Sequence, residues 1–297
     1  MRFKWHTVLR EGVTLCGRRV GTYALLGLVT ALPAIVWWGL AHGWASPAAD
    51  LLGHQQLDQI PGWTVMVIFQ SLCSGLVVAA VFDDLRGRRI SAWQSLRATS
   101  FNVELLPIVF FVQCAAAVSI HFALTLPLTA YLSFTLLEPD YRYSTDVVLA
   151  VMRSTVFAYL LRALILLALT PLLVAAPCIV VERLNLRDGL RRSLQLTAGR
   201  RLMAFSIVAT VVLIPQILTH LVSAAIPNPI GAWVAFCVLS VASTAVLGTT
   251  IAVAYHRLRR DREWKGADEL ALSLYPDSTP STNASLDEPA RLQNEQN

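Results

Sequence analysis

The sequence predicts an all-α polytopic membrane protein, with six transmembrane helices and short amphipathic cytoplasmic helices between them. Of the 297 residues, 55% are hydrophobic and 14% are charged, whereas a water-soluble domain carries about 25% charged residues. Long uncharged runs recur along the chain, and basic residues are concentrated between alternate runs. This composition excludes a soluble enzyme, a nucleic-acid-binding module and a chain that is disordered throughout.

Six uncharged runs are long enough to cross about 30 Å of hydrocarbon at 1.5 Å per residue. The predicted spans cover residues 20–41, 62–82, 105–134, 156–181, 202–226 and 230–255. The fourth span is extended upstream of its uncharged core, which brings Arg162 into the outer leaflet. Pro171, Pro177 and Pro215 predict kinks in spans four and five.

The basic residues predict the orientation of these spans. Residues 1–19, 83–101, 182–201 and 257–265 hold 20 of the 24 Lys and Arg residues, and the alternate loops hold almost none. Because positively charged segments resist translocation, both termini are expected on the cytoplasmic side. The net charge of +5 is therefore a topology signal, and no nucleic-acid partner is predicted.

Residues 1–265 are predicted to form one transmembrane domain, and residues 266–297 a polar cytoplasmic tail. The tail is rich in Pro, Ser, Thr, Asn and acidic residues without an apolar period, which is typical of disorder. A secretory signal peptide is the competing interpretation of the N-terminus. Its apolar core of about 7 to 15 residues is shorter than the first apolar run, so we expect that span to be retained.

Two basic segments predict short amphipathic helices on the cytoplasmic membrane surface. Ser91 and Gln94 form a capping-box pattern at the start of the first segment, and Asn185 begins the second in a similar way. We expect the apolar faces to rest on the membrane and the arginines to reach anionic headgroups. The predicted contacts of the second helix are Arg187, Arg191 and Arg192.

A shift of 98 residues aligns part of the first segment with part of the second. The aligned residues are Ser95, Leu96 and Thr99 with Ser193, Leu194 and Thr197. Residues 9–19 offer a third copy with one gap, so the chain could consist of three units, each a surface helix followed by two spans. Any basic amphipathic linker resembles these segments, and the sequence leaves both interpretations open.

The second segment also carries a family resemblance. Pro177 and Glu182, followed by Gly189, Ser193 and residues 196–197, resemble the Pro-x-x-x-x-Glu and Ala-x-x-x-Ser-x-x-Leu-Thr pattern of the YciC-type bacterial inner-membrane proteins. The same pattern occurs in the membrane domain attached to some glycerophosphodiester phosphodiesterases. The resemblance covers residues 1 to about 262 and implies a six-helix bacterial inner-membrane protein. No catalytic residue is carried over, because the phosphodiesterase chemistry lies in a separate soluble domain.

The residues themselves predict no catalytic group, metal or cofactor. The chain has no Gly-rich phosphate loop, no His-Glu-x-x-His and no Gly-x-Ser-x-Gly. The six histidines and five cysteines are scattered, without the spacing of metal ligands or redox pairs. An intramembrane enzyme would need a nucleophile with a base, or a metal site, so we expect a non-enzymatic protein.

Arg162 is the strongest candidate for a functional residue, because an ionisable group at the bilayer centre costs about 3 kcal/mol on insertion scales. Thr155, Tyr159 and Arg162 fall on one helical stripe. One interpretation is that the arginine extends to outer-leaflet phosphates. The other is that it binds the anionic headgroup of a lipid or substrate inside the bundle.

Further polar residues lie within the third and fifth spans. They are Gln113, His121, Gln216 and His220. Each could line a transport route, but polar groups in spans also form hydrogen bonds between helices, and we favour packing. Gly75 and Gly248 lie in stripes of small residues in spans two and six, which predict close helix approach.

The leading functional hypothesis is an integral inner-membrane protein that binds lipid or a protein partner, and that supports envelope homeostasis or a transport assembly. Membrane lipids are the expected partners, with a protein partner or a homo-oligomer as further options. The alternative is a transporter or permease for a small or amphipathic substrate, without an ATPase of its own. A transporter should contain a polar crevice that reaches the membrane midplane, which separates the two hypotheses.

Overall fold

The computed structural model describes residues 4–42, 59–87, 91–99, 105–137, 155–226 and 228–263. Every regular element in these ranges is an α-helix, which confirms the predicted all-α class. The helices are α1 (Trp5–Arg18), α2 (Val20–His42), α3 (Gln59–Leu85), α4 (Ala92–Thr99), α5 (Leu105–Leu137), α6 (Thr155–Leu173), α7 (Ala175–Glu182), α8 (Leu186–Thr197), α9 (Arg201–Ala225) and α10 (Pro229–Glu263). The predicted tail of residues 266–297 lies outside the described ranges.

Four segments of the described chain are long and apolar enough to cross a membrane. They are Leu105–Pro127, Tyr159–Glu182, Arg201–Leu218 and Ile230–Glu263. Val20–Pro33 forms a shorter apolar helix. The predicted first and second spans lie within α2 and α3, which have 23 and 27 residues. The protein is therefore a membrane protein with at least four apolar helices of spanning length, whereas the count of six stays a prediction.

Three helical segments form the centre of the bundle. α10 packs against α3, α7 packs against both, and α6 packs against α3. The other long helices lie outside this triangle: α2 contacts α3 and α10, α5 contacts α3 and α6, and α9 contacts α6 and α10. Burial is highest in the fourth predicted span: within an 18-residue stretch of Tyr159–Glu182, 78% of the residues are buried. The corresponding values are 33% for Ile230–Glu263, 28% for Arg201–Leu218 and 22% for Leu105–Pro127.

Small residues allow the central helices to approach closely. A Cβ atom on Gly248 of α10 would lie 3.0 Å from Cys73 Cβ and 3.2 Å from the Cys73 carbonyl carbon in α3. On Gly75 of α3, a Cβ would lie 3.4 Å from Ala176 Cβ in α7. These contacts confirm that the glycines of the predicted stripes lie where helices meet.

Each short basic helix packs against two consecutive long helices and their continuation. α4 contacts α2 and α3, while α8 contacts α5, α6 and α7. α1 contacts α9 and α10, the last two long helices of the chain. The first helix thus takes the place on the last hairpin that α4 and α8 take on the first two hairpins. α8 also contacts α10, and α1 also contacts α2, so the threefold repeat stays a prediction.

Two serines that the 98-residue shift aligns each bond the backbone of a long helix. Ser95 Oγ donates to Leu76 O at 3.0 Å and accepts from Ala80 N at 3.3 Å, so it binds the backbone of α3. Ser193 Oγ donates to Pro171 O in α6. In both places a serine of the surface helix binds a backbone carbonyl of the long helix before it.

The fourth predicted span is interrupted between α6 and α7. Pro177 has no N–H group for the carbonyl of Leu173, so the helical ladder is broken at this point. Val174 lies between the two helices and its carbonyl accepts from Cys178 N at 3.3 Å. The helix is thus interrupted three residues before Pro177, whereas α6 and α9 continue through Pro171 and Pro215. The predicted kinks stay predictions.

The buried face of the surface helix α8 packs on other helices of the chain, whereas the prediction placed it on the membrane. In α8 the buried residues are Gly189, Ser193, Leu196 and Thr197, and they pack against helices of the same chain. The face carries small and hydroxyl side chains that allow this close approach, whereas Leu194 is exposed.

The predicted capping box forms at the start of α4. Gln94 N donates to Ser91 Oγ at 3.2 Å, and Ser91 N donates to Gln94 Oε1 at 2.9 Å. Asn185 occupies the N-cap of α8 without a side-chain capping bond.

Candidate functional site

Arg162 lies in α6 with 4% of its surface exposed. Its guanidinium carbon lies 5.3 Å from the centre of the Tyr159 ring, which is a cation–π contact. Thr155 begins the same helix, but its side chain is outside the described residues. Arg162 precedes Glu182 by about 30 Å of helix, so the two charged residues lie at opposite ends of this span. The protein therefore encloses Arg162, and its role in binding stays a prediction.

The polar residues predicted inside the spans lie in two outer helices. Gln113 of α5 is fully buried, and its Nε2 donates to Leu172 O in α6 at 2.8 Å. This bond supplies a donor to a carbonyl next to the helix break. Within the described chain no hydrogen-bond partner faces His121 Nδ1 of α5 or Gln216 Oε1 of α9. His220 lies in α9, with its side chain outside the described residues.

Four charged side chains form a closed ring at the end of the central helices. Arg192 Nε donates to the two carboxylate oxygens of Glu182 at 3.0 and 3.2 Å, and its terminal nitrogen contacts Glu263. Arg259 Nε donates to Glu263 at 2.9 Å, and Arg259 lies 3.6 Å from Glu182. Tyr255 donates to Glu182 at 2.9 Å and accepts from Arg259 at 2.9 Å. Positive and negative groups alternate, so each charge faces two of opposite sign.

This ring, which we call the charge ring (Glu182, Arg192, Arg259 and Glu263), was only partly visible in the sequence. In the sequence, Glu182 stands out only as the acidic residue of the Pro-x-x-x-x-Glu pattern. Tyr255, Arg259 and Glu263 follow one another at four-residue intervals, which places them on one face of α10. That spacing is the signal from which the other half of the ring could have been found.

Three further ion pairs in the described chain connect the basic segments to the long helices, and one of them joins Arg200 to Asp261 of α10. Arg19 lies 2.6 Å from Asp84 at the end of α3, and Tyr23 donates to the same carboxylate at 2.5 Å. Arg257 of α10 donates to both oxygens of Glu11 in α1, at 3.0 and 3.1 Å. The basic segments that flank the spans are therefore tied together at one end of the molecule.

The predicted headgroup contacts of α8 divide into two groups. Arg187 and Arg191 are exposed, as a contact with lipid headgroups requires. Arg192 lies in the charge ring instead, because it projects from α8 toward the ends of α7 and α10. Arg192 therefore has a structural position that differs from the predicted one, while the role of Arg187 and Arg191 stays a prediction.

An apolar groove of about 670 Å³ lies between α2 and α10, with α1 at one end. α2 contributes Val20, Ala24, Leu28, Leu32 and Ile35, mostly at four-residue spacing. The other lining residues are Val13, Cys16 and Gly17 of α1, and Cys237, Val238, Val241, Ala242, Ala245 and Val246 of α10. No charged side chain lines the groove within the described chain. We call it the α2–α10 groove.

The described residues hold no group of three or more His, Cys, Asp or Glu side chains that could bind a metal ion. All five cysteines are free thiols. Four lie in the long apolar helices or α7, and the fifth, Cys16 of α1, lines the α2–α10 groove. Partial burial raises the pKa of the Cys16 thiol, which disfavours the reactive thiolate.

Comparisons of the chain with protein-family models, with curated proteins and with solved structures gave no match.

Proposed function

We propose that this protein is a non-enzymatic multi-pass protein of the bacterial inner membrane that binds lipid, and that it supports envelope homeostasis or a transport assembly. One observation carries the proposal: the central helices pack directly on one another, while the α2–α10 groove opens at the outer surface. Gly248 against Cys73 leaves no room for even a methyl group between α10 and α3. An apolar groove on the outside of a membrane protein faces lipid, so lipid is the ligand that this surface suits best.

The proposal includes six spans with both termini in the cytoplasm. α2 and α3 are long enough to cross the hydrocarbon layer at 1.5 Å per residue. The charge ring and the Arg19–Asp84 and Glu11–Arg257 pairs gather the basic segments at one end, which is the pattern of a cytoplasmic face. The matching contacts of Ser95 and Ser193 support a threefold repeat, and the resemblance to the YciC-type proteins remains part of the proposal.

A transporter or permease is the second candidate, and Arg162 is the observation that favours it. An arginine buried in a membrane span often marks the path of an anionic substrate. Its contact with Tyr159 holds the guanidinium inside the bundle, where a carboxylate or phosphate could reach it. This candidate requires a conformation in which the central helices separate.

Lipid retention and transport can be measured on the same purified protein. We expect phospholipid to remain bound after detergent extraction and gel filtration, as measured by native mass spectrometry. Protein reconstituted into vesicles should not accelerate the flux of anionic test solutes over empty vesicles. Complete loss of lipid on mild detergent exchange contradicts lipid binding, and flux that Arg162→Leu abolishes but Arg162→Lys retains favours the transporter.

A further inference from the structure

The ends of α3 and α10 extend beyond the level at which α5 begins. A Cβ atom on Gly75 of α3 would lie 3.4 Å from Leu106 Cδ2, so the first turn of α5 lies beside Gly75. From there α3 continues to its end for about 15 Å, at 1.5 Å per residue. α10 passes α3 where Gly248 meets Cys73, and it continues to Glu263 for about 22 Å. The molecule therefore has a further layer of helix beyond the start of α5.

Protein encloses the central helices on all sides in this layer. Residues 77 to 82 of α3 are at most 1% exposed, and every residue from 247 to 256 of α10 is buried. Earlier in α10, Ile230, Val234 and Val238 recur at four-residue spacing and are 72%, 55% and 60% exposed, which is the pattern of a helix face that borders lipid. α10 thus borders lipid along its first half and only protein where it passes through the further layer.

The three short basic helices enclose this layer, and we call them the collar (α1, α4 and α8). α1 packs closely on α10, since a Cβ atom on Gly12 would lie 2.9 Å from Thr250 Cα. α4 binds Leu76 O of α3 through Ser95, and α8 packs on α7 through Gly189. In the chain, α4 lies between the long helices α3 and α5, and α8 lies between α7 and α9. Both helices are therefore held where the chain leaves and re-enters the membrane.

The outer face of the collar combines the two residue types that suit phospholipid headgroups. Trp93 of α4 is 74% exposed, and Arg191 of α8 is exposed as well. Each lies two residues before the serine that binds a long helix, which is about 200° around the helix from that serine. Arg187 is exposed one turn before Arg191 on the same face. Tryptophan is enriched at membrane–water interfaces, and arginine binds phosphate through charge-assisted hydrogen bonds.

We propose that the outer faces of α4 and α8 bind anionic phospholipid headgroups of the cytoplasmic leaflet, with Trp93 beside the headgroups and Arg187 and Arg191 at the phosphates. This inference rests on the proposed lipid binding and topology, and it adds the binding surface and the chemical class of the lipid. The positive charge of α8 matches anionic headgroups, and exposed arginines exclude the hydrocarbon core as the surroundings of this face. The hydrocarbon layer then ends beside Gly75, and the charge ring lies on the cytoplasmic side of that boundary.

Spin labels at three positions measure the depth of this surface. Trp93→Cys, Val238→Cys and Arg260→Cys are each made in the full chain with its five cysteines changed to alanine, and each is reconstituted in vesicles of phosphatidylethanolamine and phosphatidylglycerol. Val238 lies on the lipid-facing side of α10, and Arg260 is exposed near the end of that helix. Collisions with oxygen and with a water-soluble nickel complex should place the label at 93 at the phosphates, that at 238 in hydrocarbon and that at 260 in water.

Three results of this experiment overturn the inference. A label at 93 that the nickel complex reaches as freely as the label at 260 shows that α4 faces the cytosol. A label at 93 as deep as the label at 238 shows that this face lies in hydrocarbon. A label at 93 that neither oxygen nor nickel reaches shows that protein covers Trp93.

The charge of the headgroup is tested with phosphatidylglycerol that carries a diazirine in its headgroup. We expect this probe to label peptides of α8 in the reconstituted wild-type protein. Arg191→Gln should lower the labelling about fivefold, which is the effect of one basic residue near an anionic surface. Arg260→Gln removes the same charge beyond the collar and should leave the labelling unchanged. Equal labelling in the two variants, or equal labelling by a phosphatidylethanolamine probe, refutes the assigned headgroup contact.

The same preparations separate this inference from the proposed function. If the wild-type protein retains phospholipid but the label at 93 lies in water, lipid binding stands and the collar surface is wrong. If the label at 238 also lies in water, the proposed placement in the membrane fails, and the inference fails with it.

Discussion

Arg192 and Glu182 face each other across the turn between α7 and α8, with Arg192 Nε within 3.2 Å of both carboxylate oxygens. The pair connects the end of the fourth apolar helical path to the surface helix that follows it. Glu263 and Arg259 extend the pair to α10, so three helices share one set of alternating charges. These side chains are mostly withdrawn from solvent, and removing one leaves its partners with a net charge that water solvates poorly.

We expect Glu182→Gln to lower the thermal stability of the purified protein. The free energy of unfolding should fall by about 1 to 3 kcal/mol. This lies between the contributions of exposed and of buried ion pairs, because Glu182 retains some exposure. Fluorescence-detected gel filtration after heating measures it in detergent. Asp188→Asn, an exposed acidic residue of α8, is the control. If Glu182→Gln and Arg192→Gln prove additive in the double variant, the two residues are not coupled.

Ser95→Ala and Ser193→Ala should each destabilise the contact between a surface helix and its long helix. Each hydroxyl donates to a backbone carbonyl of another helix, and a hydrogen bond of this kind contributes about 1 kcal/mol. Ser206→Ala is the matched control, since Ser206 Oγ bonds Leu202 O within its own helix. Hydrogen exchange of α4 and α8 should rise in the first two variants. Equal protection in all three would show that these bonds do not hold the surface helices.

The part of the fold that composition and periodicity predict is the set of helices. Each predicted apolar run lies in helix, because a long uncharged segment must satisfy its own backbone hydrogen bonds in lipid. The interruption at Val174 was predictable from Pro177, because a missing N–H group breaks the helical hydrogen-bond ladder at a known place. Gly248 and Gly75 were informative because only small residues permit close approach of helices.

The sequence did not reveal which helices contact one another, or through which side chains. The charge ring joins Glu182 to Glu263 across 81 positions, and nothing in the local pattern of either residue names the other. The sequence predicts the same headgroup contact for Arg191 and Arg192, because the two residues are neighbours in one helix. In the structure Arg191 is exposed, whereas Arg192 projects toward Glu182 and Glu263. The α2–α10 groove likewise depends on α1 returning to the last helix, a long-range contact that periodicity does not encode.

Gly248→Ala should destabilise the bundle more than an alanine substitution at an open glycine. The new Cβ would lie 2.9 Å from Cys73 Sγ and 3.2 Å from a backbone atom, so α3 and α10 must separate slightly. Overpacking of this kind costs about 1 to 3 kcal/mol. Gly21→Ala is the control, since nothing lies within 4 Å of its added Cβ. Equal melting temperatures of the two variants in one detergent would contradict the close α3–α10 contact.

Arg187→Cys and Asn228→Cys, each in a chain whose five cysteines are changed to alanine, test the proposed orientation. Both positions are exposed, and they lie at opposite ends of α9. Because the basic segments are expected in the cytoplasm, a membrane-impermeant maleimide should label Asn228→Cys in intact bacterial cells with the outer membrane permeabilised. Arg187→Cys should react only after the inner membrane is opened. The reverse labelling pattern would show that the topology is opposite to the proposed one. Labelling of both sites in intact cells would show that α9 does not span the membrane.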